Sequence, residues 1–140
     1  MIDEAFITNY ITSTFENVAT VINFGYTFFF YRDEHMYAFA TIASTGNVYE
    51  KISNLDRPGV YRLNIGVSRD TFQALFGTQK IDVSTYDFTV LDTIMPHPDY
   101  SSQHFLCVLS PSEATFEKIR PMLAEAYDVA MKRYNKHKTH

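Results

Sequence analysis

Residues 60–68 read VYRLNIGVS, and this short stretch constrains the fold more than any other. Apolar side chains fall at every second position, with Tyr61, Leu63, Ile65 and Val67 on one side and Arg62, Asn64 and Gly66 on the other. A period of two is that of a strand, whose successive side chains point to opposite faces. Such a strand sends one face into a core and carries a cation and an amide on the other. Ser68 follows as an N-cap for the short helix RDTFQALFG, with Asp70 in its first turn and Gly77 as its stop. A strand apolar on one face requires a second layer of structure to cover that face.

The neighbouring stretches supply the remaining elements. YTFFFY and MYAFATIA read as strands separated by the polar turn RDEH, and HFLCVL reads as a fourth. In the first of these, Tyr26, Phe28 and Phe30 share one face while Thr27, Phe29 and Tyr31 share the other. Aromatic residues on both faces suit a strand covered on both sides, or one that forms part of a contact surface. At the start of the chain Ile7, Ile11, Phe15, Val18 and Ile22 recur at helical spacing, which predicts one helix running to Gly25. TVLDTIM reads as a short helix halted by Pro96 and Pro98, and Ser110-Pro111-Ser112-Glu113 as a capping box with Ser110 as the cap. The last helix is expected to run to about Tyr134, with Pro121 causing a kink or dividing it near Arg120. The expected fold is therefore α+β: a single compact domain over 1–140, with N- and C-terminal helices packed on a mainly antiparallel sheet. Residues 1–134 form the expected ordered core and 135–140 a frayed tail.

Composition narrows the function classes. With 12 Phe, 10 Tyr and no Trp in 140 residues, much of the interior must be built from rings. A net charge of −4 argues against a strong nonspecific grip on nucleic acid, which needs dense Lys and Arg. Lys132, Arg133, Lys136 and Lys138 form a local exception, read either as a solvated helix end or as a nucleic-acid or membrane-surface contact. The single cysteine, Cys107, excludes an intramolecular disulfide and lies in an apolar run that suits a buried thiol. No apolar run approaches bilayer length and no leader pattern opens the chain, so a cytoplasmic protein without a membrane partner is expected.

The nucleotide-phosphate signatures G-x-G-x-x-G and G-x-x-x-x-G-K are absent, and Ser68 lacks the second glycine of a nucleophile elbow. The five histidines, His35, His97, His104, His137 and His140, match no metal-ligand spacing, so neither a metal nor a cofactor is expected. No complete catalytic constellation is visible. One polar set remains: Arg62 and Asn64 on the third strand, with His97, Tyr100 and His104 from the proline-bounded approach to the fourth. Should those two strands pair, the five could line one concavity suited to a small or anionic ligand. The alternative is that Arg62 pairs with a carboxylate and the histidines cap loop carbonyls. A nucleic-acid-binding role and a self-associating or protein-binding surface are the rival functional readings, with monomer and homodimer both open.

The stretches LDRPGVYRLNIGVSRDTFQALFG and YDFTVLDTIMPHPDYSSQHFLCVLSPSEATFEKIRPMLAEAY resemble a bacterial family, domain of unknown function family 6194. The resemblance runs from GYTFFFY to Tyr127, with Phe105 where that family commonly has Trp and Ser110 where it commonly has Asn. More distantly, the histidine-aromatic strand and the helix ending in AEAYDVA are similar to MmcQ/YjbR-like proteins. That second resemblance implies a compact fold sometimes described as a double-wing DNA-binding motif, and it carries over no catalytic residues.

Overall fold

The alternating strand lies at the middle of a six-stranded sheet in the computed structural model, which describes residues 2–138. The elements are α1 (Glu4–Thr14), β1 (Val18–Asn23), β2 (Tyr26–Tyr31), β3 (Ala40–Ala43), β4 (Arg62–Gly66), α2 (Arg69–Phe76), β5 (Met95–Pro96), β6 (Phe105–Leu109) and α3 (Glu113–Lys138). The spatial order is β1-β2-β3-β4-β6-β5, and every neighbouring pair is antiparallel. β4 and β6 are thus partners, with Asn64 opposite Cys107 and Gly66 opposite Phe105. The α+β architecture expected from the element order is the one observed.

Alternation divides the sheet cleanly. Phe29, Ile42, Leu63, Ile65, Leu106 and Val108 share one face, all fully buried under Ile7 and Ile11 of α1 and Phe116, Ile119 and Leu123 of α3. Each such side chain removed from water contributes about 1.5–3 kcal/mol, so this layer is the main source of stability. Rings fill the gaps between helix and sheet: Tyr127 stacks on Phe15 at 4.9 Å between centroids and meets Phe39 and Tyr31 edge-on. The opposite face is covered at one end only, by a smaller cluster in which Leu55, Val60 and Phe88 from the long loops pack on Met95, Cys107 and Leu109.

Four local expectations need correction. The N-terminal helix stops at Thr14; Phe15 is extended, Asn17 turns the chain at φ 63°, and residues 18–23 form β1 against β2. The β-branched run Val18, Thr20, Val21, Ile22 loses side-chain freedom in a helix and fits a pleated surface better. TVLDTIM is no helix: Leu91 bridges Leu109, and Met95 and Pro96 pair with Cys107 and Leu106 as a short edge strand. The cap of α3 is Ser112, whose Oγ accepts from the Thr115 amide at 3.2 Å, and not Ser110. Ser110 is left-handed at φ 40° and takes the Tyr61 amide on its hydroxyl instead. Finally, α3 is one helix of 26 residues that passes through Pro121 and reaches Lys138, beyond the expected end at Tyr134. Ser68 caps α2 through the Thr71 amide and Gly77 ends it at φ 85°, as the sequence pattern implied. The end of the expected tail, Thr139 and His140, lies outside the described residues.

Candidate functional site

Away from the loop-covered end, the second face of the sheet opens into a cavity of about 1120 Å³. Its floor is β3 and β4. Arg62 has no exposed surface, and its guanidinium makes three separate contacts: Nη2 with Glu50 Oε2 at 3.0 Å, Nη1 with Ser53 Oγ at 2.8 Å, and Nε with Asn64 Oδ1 at 3.0 Å. A guanidinium can only donate, so the atom of Asn64 facing it must be the amide oxygen. That fixes the amide nitrogen on the other side, where Nδ2 donates to Thr41 Oγ1 at 3.0 Å. Thr41 stands opposite Asn64 in the β3–β4 register, which places the two on the same face. The Thr41 hydroxyl accepts this bond on one lone pair and also carries a proton, for which no acceptor occurs among the described residues. Glu50 is held a second time by the Tyr26 phenol, which donates to Oε1 at 2.6 Å. Burial, and then this carboxylate, hold the Tyr26 phenol above its ordinary range.

The walls are aromatic. On β2, Tyr26, Phe28 and Phe30 form a row with centroids 5.9 and 6.1 Å apart. Facing them, His97, Tyr100 and Phe105 make a cluster of rings 5.0–6.5 Å apart. The Phe105 ring lies over Gly66: a Cβ there would stand 2.8 Å from Phe105 Cζ, so the glycine is what admits the ring. At the mouth, Arg133 of α3 sits 5.3 Å over the Tyr37 ring.

His97 is buried, at 4% exposure, and its Nδ1 accepts two backbone amides of its own loop, from Asp99 and Tyr100, each at 3.0 Å. An acceptor at Nδ1 is an unprotonated nitrogen, so the ring is the neutral tautomer with its proton on Nε2. Desolvation, helped by the Arg62 charge, pushes its pKa down to about 3. The imidazole, which lines the cavity, is therefore a neutral ring that keeps an N–H at Nε2 and is not a base at neutral pH.

Of the five residues singled out in the sequence, Asn64, His97 and Tyr100 line this cavity. Arg62 lies beneath it and acts through Asn64. His104 is separate: left-handed at φ 65°, its ring lies tilted 5.7 Å from that of Phe72 of α2 and borders a different, shallow recess of about 250 Å³. The open alternative for Arg62 is thus answered by Glu50, and His97 accepts loop amides where capped carbonyls were envisaged. Tyr26, Thr41, Glu50 and Ser53 were missed. Alternation with Phe28 and Phe30 could have brought in Tyr26, whereas Glu50 sits in a turn-rich loop that carries no local signal.

Cys107 is buried, which raises its thiol to about 12 and leaves it packing material. Of the basic run, Lys132 pairs with Asp128 at 2.9 Å along the helix. Among the described residues no group of three or more His, Cys, Asp or Glu side chains could hold a metal ion, and no helix is long and apolar enough to cross a membrane.

No curated protein and no solved structure matches the chain, and the MmcQ/YjbR-like resemblance gains no match from these comparisons. A family model does match, over residues 2–139, which is nearly the whole chain and includes every residue of the cavity. The chain belongs to the family of unknown function DUF6194.

Proposed function

We propose that this protein is a small-molecule-binding domain whose cavity takes a flat, largely apolar ligand through a hydrogen-bond acceptor at its buried end. The observation that carries this reading is the fixed direction of the polar network. Arg62 orients Asn64, Asn64 donates to the Thr41 oxygen, and the chain of donors ends in the Thr41 hydroxyl proton. His97 adds a second donor, Nε2–H, because its other nitrogen is held by the loop. Linked hydrogen bonds polarise one another, so a chain that starts on a guanidinium strengthens the donor at its far end. Aromatic walls on two sides supply the apolar contact, and a few oriented polar groups within an apolar lining are the usual composition of a small-molecule site. Glu50 and Arg62 neutralise each other, so the floor favours an uncharged acceptor such as a carbonyl oxygen or ring nitrogen. Catalysis by His97 as a general base does not fit, since neither nitrogen is free to take a proton.

Two bicyclic probes of similar size test the reading. Isoquinoline, uncharged at neutral pH, offers a ring nitrogen as acceptor, and indole offers an N–H donor. Titration of isotope-labelled protein, followed by amide chemical shifts, should show isoquinoline moving Thr41, Asn64, Gly66 and His97 with an affinity about tenfold above that of indole, a difference of about 1.4 kcal/mol. Thr41→Val, which removes the hydroxyl and leaves the His97 donor, should reduce the preference while leaving the shifts of residues outside the cavity native. Equal affinities, or shifts confined to residues outside the cavity, would refute the donor-floor reading.

A further inference from the structure

The two edges of the sheet are built differently. β5 is two residues long, one of them Pro96, with Pro98 and Asp99 close behind and Asp92 just before. Short length, proline and charge are the devices by which an edge avoids pairing with another chain. β1 has none of them. It is six residues long, and from Asn17 to Tyr31 the chain contains no charged residue and no proline. Its residues from Thr20 onward are exposed, Ile22 to 78%, and Phe24 at the hairpin tip is 71% exposed, edge-on to the exposed Tyr49.

The hydrogen-bond parity of this edge follows from one contact. The Phe39 amide donates to Phe29 O, so the backbone of Phe29 faces β3, and Phe28 and Phe30 face β1. Their register partners Val21 and Ala19 therefore turn inward, and Val18, Thr20 and Ile22 present N–H and C=O groups outward. A second copy can add antiparallel across a two-fold axis only where outward residues meet outward residues. Centred on Thr20, the register pairs Thr20 with Thr20 and Val18 with Ile22 twice over, so all three outward residues are used. It gives roughly six interchain hydrogen bonds, two for each such pair. Val18, Thr20 and Ile22 lie on the helix-bearing face with Tyr31, so the exposed Ile22 would be covered by the partner's Val18. A register centred on Val21 instead sets Val18 against Phe24, beyond the strand. No charge is brought opposite a like charge in the Thr20 register.

We infer that this protein forms a two-fold homodimer through antiparallel pairing of β1 with β1, centred on Thr20, giving one continuous sheet of twelve strands. The occupant is a second copy and not an open series, because the β5 edge is protected and cannot receive β1. The assembly closes at two. Val21 and Asn23 also line the cavity, so the dimer sets the two cavities side by side on one face.

Sedimentation of the full chain decides it. The wild type should sediment at twice 16.2 kDa at micromolar concentrations. Thr20→Pro, which removes an outward N–H at the axis, and Ile22→Lys, which places like charges near it, should both sediment as monomers with unchanged circular dichroism. Because a proline could disturb the hairpin, Thr20→Cys gives an independent reading. Paired residues lie about 5.5 Å apart between Cα atoms, within disulfide reach, so mild oxidation should link the two copies at Cys in place of Thr20 but not of Thr12. A wild type that stays monomeric to millimolar concentration overturns the inference. So does a dimer that survives both edge substitutions, or one that Thr20→Cys fails to link.

Discussion

The two faces of the sheet are made by the same strands yet are stabilised by different physics. In β4, Leu63 and Ile65 face the helices, while Arg62 and Asn64 face the other way, and all four are buried. On the helix side, burial needs only shape and apolar area. On the cavity side, each buried polar side-chain atom must find its partner, and among the described residues no buried side-chain nitrogen or oxygen is left unpaired. An apolar replacement of a buried ion pair is often neutral or stabilising, so stability alone gives no reason for Glu50–Arg62. What the pair does supply is direction, since it orients every donor from Arg62 to Thr41. The helix-bearing face holds the fold, and the other face spends part of that stability on an ordered polar surface.

The largest effect is expected from breaking the network at its source. Arg62→Met should cost about 3–5 kcal/mol, because Glu50 keeps its charge beneath the floor without its partner. Adding Glu50→Gln to that variant should recover part of the loss, so the double substitution is more stable than Arg62→Met alone. On the other face, Leu63→Ala should cost a comparable ~2–5 kcal/mol through cavity formation, with no such rescue available. Urea unfolding of the three variants beside the wild type distinguishes the cases. If Glu50→Gln makes Arg62→Met worse, the floor is not organised around the ion pair.

A smaller effect, about 1–3 kcal/mol, is expected where the two walls meet the floor. Gly66→Ala places a methyl 2.8 Å from Phe105 Cζ, so the ring must lift and narrow the cavity. Phe105→Leu in the same chain should restore most of the stability, because a smaller side chain leaves room for the methyl. Thermal unfolding of the single and double variants measures it. An unchanged midpoint in Gly66→Ala would mean that the ring moves freely and the floor is not closely packed.

The same contrast explains what could be read from the residues in advance. Tyr61 to Val67 were legible because alternation is a local property, and Ser68 and Gly77 because a cap acts within one turn. The face carrying Arg62 and Asn64 was legible for the same reason. Val18 and Ile22 misled because they continue the i, i+4 phase of Ile7 and Ile11, and pairing with β2 overrides that phase. Pairing is non-local and leaves no mark on the segment itself. Glu50 was hidden in the same way: burial of Arg62 demands a carboxylate, but nothing distinguishes one among 16 acidic residues until β4 and its preceding loop fold together. His104 was grouped with His97 by proximity in sequence, and the left-handed turn at residue 104 sends the two to different recesses.

The effect that is smallest at neutral pH belongs to His97, and it grows on acidification. In the folded protein this ring stays neutral down to about pH 3, whereas the unfolded chain takes up a proton near the ordinary value of 6.5. Between those values the unfolded state holds the extra proton, so stability rises with pH and is lost as pH falls through the window. The slope contributed by one such group approaches about 1.4 kcal/mol per pH unit below pH ~6. Carboxylates add a slope of the same sign at lower pH: Asp82, Asp87 and Asp92 are held below their ordinary range by hydroxyl and backbone donors. The His97 contribution is therefore isolated as a difference. His97→Asn keeps an acceptor for the Asp99 and Tyr100 amides but cannot titrate. Its stability at neutral pH should fall by less than about 1.5 kcal/mol, the scale of one exchanged hydrogen bond. Between pH ~6 and ~5 its stability curve should be flatter than that of the wild type by close to one proton. Parallel curves would mean that the ring takes up its proton alike in the folded and unfolded states, so that Nδ1 is not held as an acceptor by the Asp99 and Tyr100 amides and the tautomer is not fixed.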